Sequence, residues 1–280
     1  MGTEKTHEII QIIRGMDTSD GAGVKLKRIL GSPELNQLDP FLLLDEFKNN
    51  NPDDYAAGFP NHPHRGFETV TYMMAGAFTH RDSKGHEGHL TAGSVQWMTA
   101  GKGIIHSEMP EQTDGLAWGY QLWLNLPAKF KMTEPKYQDL PSENLPVVEK
   151  DGKKVKILAG EYDGSKSPGK SFIPFTYLDV KLEPGKAFTH PAPNDQNAFI
   201  YVISGKAKAG GEKAVPAGHL GVFGEGDSVL VEPLENKALH LLFASAQKLN
   251  EPIVRGGPFV MNTLGEIKKA FYDYQTGQLS

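Results

Sequence analysis

The 280-residue sequence predicts an all-β chain: two copies of one β unit in tandem, with a short helix at the C-terminus. Three observations predict it. Apolar residues recur at period two in short runs, the pattern of half-buried strands. Glycine (31 residues) and proline (19) punctuate the chain as turn formers. And ETVTYMMAG (68–76) can be laid on NAFIYVISG (197–205), with Tyr72 on Tyr201 and Gly76 on Gly205. Many short strands joined by glycine-rich turns build a sandwich or a barrel. A hydrophobic fraction of 39% is enough to fill real cores.

Taken in chain order, TVTYMMAG (69–76) reads as a strand that ends on a turn glycine. GSVQWMTAGKG (93–103) is a short apolar run between glycines. In GYQLWLNLP (119–127), Tyr120, Leu122, Leu124 and Leu126 alternate with Gln121, Trp123 and Asn125, a half-buried strand. FTYLDVKLEPG (175–185) and FIYVISGKA (199–207) repeat the theme. Only NTLGEIKKAFYDYQTG (262–277) reads as helix. Thr263 and Glu266 form a capping box, Ile267, Ala270, Phe271 and Tyr274 share one face, and Gly277 stops it. The polar, proline-rich stretch 127–146 separates the copies, giving an N-terminal domain at 1–135 and a C-terminal domain at 136–280.

Composition excludes several classes of function. A net charge of −5 without a basic cluster argues against nucleic acid as a direct ligand. No apolar run approaches the ~18 residues of a membrane span, and the N-terminus lacks a signal-peptide core. Gly2 and Thr6 match the loose acylation pattern, with no second membrane signal beside it. The absence of cysteine removes disulfides, thiolate metal sites and cysteine nucleophiles, and fits a cytoplasmic location. Any metal must be held by nitrogen and oxygen.

Such ligands are at hand. His62 and His64, in HPHRGFET, are two residues apart, and on an extended strand residues i and i+2 share a face. Pro63 stiffens the step between them. His106 and Glu108, in GIIHSEMP, repeat the spacing. Two adjacent strands, each presenting one pair inward, can set four ligands around one ion. Three imidazoles and a carboxylate suit Fe, Mn, Ni, Cu or Zn, and suit Ca or Mg poorly. In an octahedral ion two positions stay open. Glu68 competes as the carboxylate, because on one continuous strand it would share a face with His64. The polar loop His80, Asp82, His86 and His89 reads as a solvated hairpin. Trp97 and Trp123 read as core residues.

The second copy lacks this set. Pro191 and Pro193 stand where His62 and His64 do, and His190 is one residue out of phase, facing the other way. SVQWM from Ser94 lies on SVLVE from Ser228, which places His240 on His106 and Leu242 on Glu108. The C-terminal domain is therefore expected to carry no metal. His240 should be a buried or hydrogen-bonded structural residue, and His190 and His219 should sit on loops or outward faces.

DPFLLLDEF, GFPNHPHRGFETVTY, GSVQWMTAGKGIIHSEMP and GPFVMNT resemble the pirin family of the cupin superfamily, over nearly the whole chain from about Arg14. The resemblance implies a bicupin: two tandem cupin (jelly-roll) β-barrels, the first binding one metal per chain. It implies iron as the ion, held by His62, His64, His106 and Glu108, and so selects Glu108 over Glu68. It also implies one of two activities. One is a quercetin 2,3-dioxygenase, which opens a flavonol with O₂ and releases CO. There Glu108 would accept the flavonol hydroxyl proton, and Phe59, Phe67, Met73 and Trp97 are candidate pocket walls. The other is a non-enzymatic, metal-dependent regulator that binds a transcriptional or metabolic protein partner.

Overall fold

The alternating patterns do become strands. The computed structural model describes residues 5–211 and 213–279, so Gly2 lies outside the described residues. Its strands belong to two units, each a cupin-type barrel. One unit joins Met16–Glu143 to Leu249–Ser280, and the other joins Met1–Gly15 to Asn144–Lys248. Both are discontinuous in sequence, whereas the sequence reading drew each domain as a single stretch.

In the unit containing residues 16–143, a seven-stranded antiparallel sheet runs in the order Lys136–Leu140, Val95–Thr99, Phe67–Ala75, Ala117–Asn125, Phe41–Asn49, Val24–Leu30, Met16–Asp20. A four-stranded sheet runs Phe59–His64, Ile104–Pro110, Ala77–Asp82, Glu87–Thr91. The other unit follows the same plan. Its seven strands run Ile9–Arg14, His219–Phe223, Gln196–Ser204, Leu239–Gln247, Phe175–Leu182, Lys153–Ala159, Val147–Lys150. Its four run Phe188–Pro191, Ser228–Pro233, Lys206–Ala209, Ala214–Pro216.

The internal repeat is thus architectural. Phe67–Ala75 and Gln196–Ser204 take the same place, as the first sequence match expects. The second match is one strand out of step. Val95–Thr99 corresponds to His219–Phe223, and the strand of His106 corresponds to Ser228–Pro233, so His240 is not the counterpart of His106. The ungapped match went astray because the connections between these strands differ in length in the two copies. His240 is nonetheless hydrogen-bonded, its Nε2 lying 2.6 Å from Asp179 Oδ1. His219 begins a strand, with Nδ1 3.0 Å from Ala217 O. His190 corrects the expectation of an outward face. It is buried, on the strand that corresponds to Phe59–His64.

The single α-helix among the described residues, Leu264–Gln275, is capped as expected: Thr263 Oγ1 accepts from Glu266 N at 3.2 Å. Its inward residues are Ile267, Ala270 and Asp273, while Phe271 and Tyr274 are 38% and 40% exposed. Asp273 turns inward because a buried guanidinium awaits it, Arg65 Nη1 donating to Asp273 Oδ2 at 2.8 Å. No helix of the described residues is long and apolar enough to cross a membrane.

A second buried cation ties the same region together. Lys131 Nζ donates to Gly66 O and Asn125 Oδ1 at 2.7 Å and to Val260 O at 2.9 Å. Burial pushes its pKa down to about 7, opposed by the carboxylates of Glu251 and Glu266. Lys131→Met would leave three acceptors without a donor, each costing about 1–3 kcal/mol. The expected loss is about 3 kcal/mol in urea denaturation, against a change within about 0.5 kcal/mol for Lys268→Met on the surface of the helix.

Candidate metal centre

Phe59–His64 pairs antiparallel with Ile104–Pro110, and the register sets His62 opposite His106 and His64 opposite Ile104. The i, i+2 spacing then brings three imidazoles onto one side of the four-stranded sheet. Ring centroids lie 4.4 Å apart for His62–His106, 4.7 Å for His62–His64 and 5.1 Å for His64–His106. One nitrogen from each ring lies within 4.8 Å of the others, and this is the one such group of three or more potential ligands among the described residues. The register slips between His106 and Glu108, which stands opposite Phe59. The Glu108 carboxylate is outside the three-imidazole group, though it lines the same cavity.

The bonding of the rings fits a cation. His62 Nδ1 is 2.8 Å from Pro60 O, and His64 Nδ1 is 3.4 Å from Pro258 O. A carbonyl only accepts, so Nδ1 carries the proton in both rings and Nε2 keeps its lone pair. His106 is 1% exposed, and neither of its ring nitrogens has a hydrogen-bond partner. Buried polar atoms left this way are costly unless something answers them. Three convergent imidazole nitrogens are the donors a borderline transition metal takes.

Burial pushes the pKa of His64 and His106 well below the ordinary imidazole value, helped by the neighbouring rings, so all three stand ready as neutral donors. Burial also raises Glu108 to about 7, opposed by its hydrogen bonds with Gln121 and Thr71. Thr71 Oγ1 donates to Gln121 Oε1, and Gln121 Nε2 donates to Glu108 Oε2 at 3.5 Å. Glu68 is raised to about 7 by burial as well, but elsewhere: its Oε1 accepts from Thr99 Oγ1 at 2.7 Å in the other sheet. The face shared by residues 64 and 68 does not exist, because Gly66 breaks the strand at φ +89°. A Cβ there would meet Val260 O at 2.0 Å.

A cavity of about 670 Å³ opens beside the imidazoles. Phe59 lines it as expected. Trp97 and Met73 do not, and belong to the core, while Phe67 is buried against Trp123. Trp123, expected in the core, lines the cavity, its ring 5.2 Å from that of His64. Gln121 shares that face, and the apolar set Tyr120, Leu122 and Leu124 is fully buried on the other. The alternation was legible, but not that its polar side faces the cavity. Arg28 and Arg255 also line the cavity, and sequence reasoning missed both. His80 is not on a solvated hairpin. It is 2% exposed, its Nε2 is 2.9 Å from His86 Nδ1, and His86 stacks on Tyr137.

Known proteins are similar to this chain over nearly its whole length. Residues 23–124 match the family model described as Pirin, and residues 177–280 the one described as Pirin C-terminal cupin domain. A pirin-like protein of Solanum lycopersicum is 47% identical over 272 residues, covering 96% of this chain and 92% of its own. A pirin of Homo sapiens is 44% identical over 282 residues, covering 99% and 95%. Among solved structures, a quercetin 2,3-dioxygenase from Acinetobacter baumannii is similar at a TM-score of 0.91 and 32% identity, covering 98% of this chain and 99% of that one.

The buried rings predict a pH dependence in metal-free protein. Below 6.5, the ordinary imidazole value, the unfolded chain takes up protons that His64 and His106 refuse, so stability is full above 6.5 and falls as pH drops. Glu108 and Glu68 act with the opposite sign. Their contribution is full below 4.5 and is lost as pH rises toward about 7. The readout is therefore a difference. In urea titrations with chelator, wild-type stability should fall more steeply between pH 6.5 and pH 5 than that of His106→Leu.

Proposed function

The chain belongs to the pirin family, and from that membership we propose that its N-terminal barrel is a metal-dependent dioxygenase that opens a flavonol such as quercetin with O₂ and releases CO. His62, His64, His106 and Glu108 hold the ion, and iron is the ion proposed. Mn, Ni, Cu and Zn suit the same donors. The observation that carries the reading is the cavity of about 670 Å³ against the imidazoles. A structural metal site is closed by its ligands, whereas a catalytic one keeps an approach for substrate. The likeness to the quercetin 2,3-dioxygenase of Acinetobacter baumannii supports the same reaction.

When bound, such an ion polarises a coordinated hydroxyl and eases loss of its proton. The protein's own groups do the rest. Glu108 takes the 3-hydroxyl proton of the flavonol onto its carboxylate, and Gln121 and Thr71 keep that carboxylate aimed. Phe59 and Trp123 bind the flat rings and exclude water from the enolate. The enolate supplies the electrons that reduce O₂, so no outside reductant is needed. Both oxygen atoms of O₂ stay in the cleaved ester, and carbon 3 leaves with its own oxygen as CO.

Metal analysis and gas evolution test the reading. Purified protein should carry one ion per chain. His106→Ala should lose it, and His240→Ala should keep it. Loaded protein should consume O₂ with quercetin and evolve CO, and Glu108→Gln should slow this about 100-fold. No O₂ uptake with Fe, Mn, Ni or Cu loaded would sink the enzyme reading. A stable protein partner captured only in the absence of chelator would then favour the regulator.

A further inference from the structure

The C-terminal barrel has a cavity of its own, about 490 Å³, and several places in the strand plan line both cavities. Phe188–Pro191 takes the place of Phe59–His64, and Lys153–Ala159 that of Val24–Leu30. His190 stands on the former, 9% exposed and facing the cavity. Its ring has no hydrogen-bond partner among the described residues. Aromatic rings surround the imidazole, Phe188 and Phe243 from the core and Tyr162 from the cavity wall. The Phe188 ring lies at 6° to that of His190 with centroids 6.2 Å apart, and Tyr162 lies at 26° and 6.2 Å. The Phe243 ring meets the imidazole edge-on at 5.2 Å.

These features select a kind of ligand. Burial lowers the His190 pKa to about 4, so near neutral pH the ring offers one N–H donor and one lone pair, and no charge. Thr176, Thr189 and Gln196 add neutral polar groups to the wall. At the rim Glu161 is paired with Lys166 at 2.7 Å, and the remaining Lys150 and Lys153 are balanced by Asp151 and Asp163. Nothing there steers an ion. Tyr162 and His190, whose rings lie at 26° to each other in the cavity wall, favour a flat partner, and an imidazole that no protein group answers favours one that both donates and accepts. A lone imidazole is too few ligands for a metal.

We propose that the C-terminal barrel binds an uncharged, planar phenol, seated on Tyr162 and hydrogen-bonded to His190. This site is independent of the metal centre and of the reaction assigned to it. It makes the second barrel a ligand-binding module with the architecture of the first.

The test uses the full chain carrying His106→Ala, with chelator, so that the first barrel's metal plays no part. Catechol and phloroglucinol are the probes, benzoate is the charged control, and inositol is the non-planar hydroxylated one. Calorimetry, with ligand-observed NMR, should show one saturable phenol site per chain. His190→Phe keeps a flat ring and removes both nitrogens, and it should weaken phenol binding about tenfold. Tyr162→Ala should do the same, and His190→Gln should recover part of the loss. Benzoate and inositol should bind at least about tenfold more weakly than the phenols. Thermal melts establish that each variant is folded. If His190→Phe does not fold, the Tyr162→Ala and His190→Gln results and the probe ranking decide. Phenol binding unmoved by these substitutions would overturn the site. So would equal affinity for benzoate or inositol, or no saturation by either phenol at millimolar concentration.

Discussion

Bringing three neutral imidazoles side by side, two of them buried, removes hydration that the protein returns only in part. At His106 both nitrogens are buried and unanswered, and the surrounding barrel is arranged to bear that cost. The pairing of Phe59–His64 with Ile104–Pro110 is its instrument, since a slip of one residue would turn every ligand to the other face. The chain holds the register from both ends. Lys131 gathers the carbonyls of Gly66 and Val260, and Arg65 donates to the carbonyl of Lys102, just before the His106 strand, and to Asp273. Two buried cations outside the cavity thus stiffen the turns on which the imidazoles depend.

The same strand plan is put to two uses. In the first barrel the plan yields three convergent rings and a carboxylate, and in the second an aromatic wall around one ring. The difference lies in a few positions. Ile104–Pro110 carries His106 and Glu108, and its counterpart Ser228–Pro233 carries Val229 and Val231 on its inward face in their stead. The β scaffold tolerates this because its stability comes from apolar layers, such as Leu178, Val180, Ile200 and Leu241 in the second barrel, rather than from the cavity lining.

What the sequence disclosed followed the range of the interaction. His62, His64 and His106 were legible because period two is a local rule and each pair sits in one strand. The capping box at Thr263 and Glu266 was legible for the same reason. Glu68 could be misread because the break at Gly66 depends on its close approach to Val260, far along the chain. The inward turn of Asp273 answers Arg65 across 208 residues, and no periodicity in the helix reports it. Trp123 and Gln121 were visible as an alternation. Which side of it faces the cavity depends on the sheet opposite, and so on tertiary structure. His190 was misplaced because an ungapped match cannot follow loops of unequal length.

The exchange of terminal segments between the two units has a consequence for biosynthesis. Pro258, whose carbonyl faces the His64 ring, leaves the ribosome 194 residues after it, and Asp273 follows later still. Domains emerging from a ribosome fold first from the N-terminal side. Here the barrel that begins at Met16 is completed after the other, because its closing strands and helix follow residue 248 in sequence. Until then the strand Phe59–His64 lacks the carbonyl that faces His64, and Arg65 lacks the carboxylate that anchors it. The order of synthesis therefore puts the last long strand of the second barrel, Leu239–Gln247, ahead of the segment that completes the first.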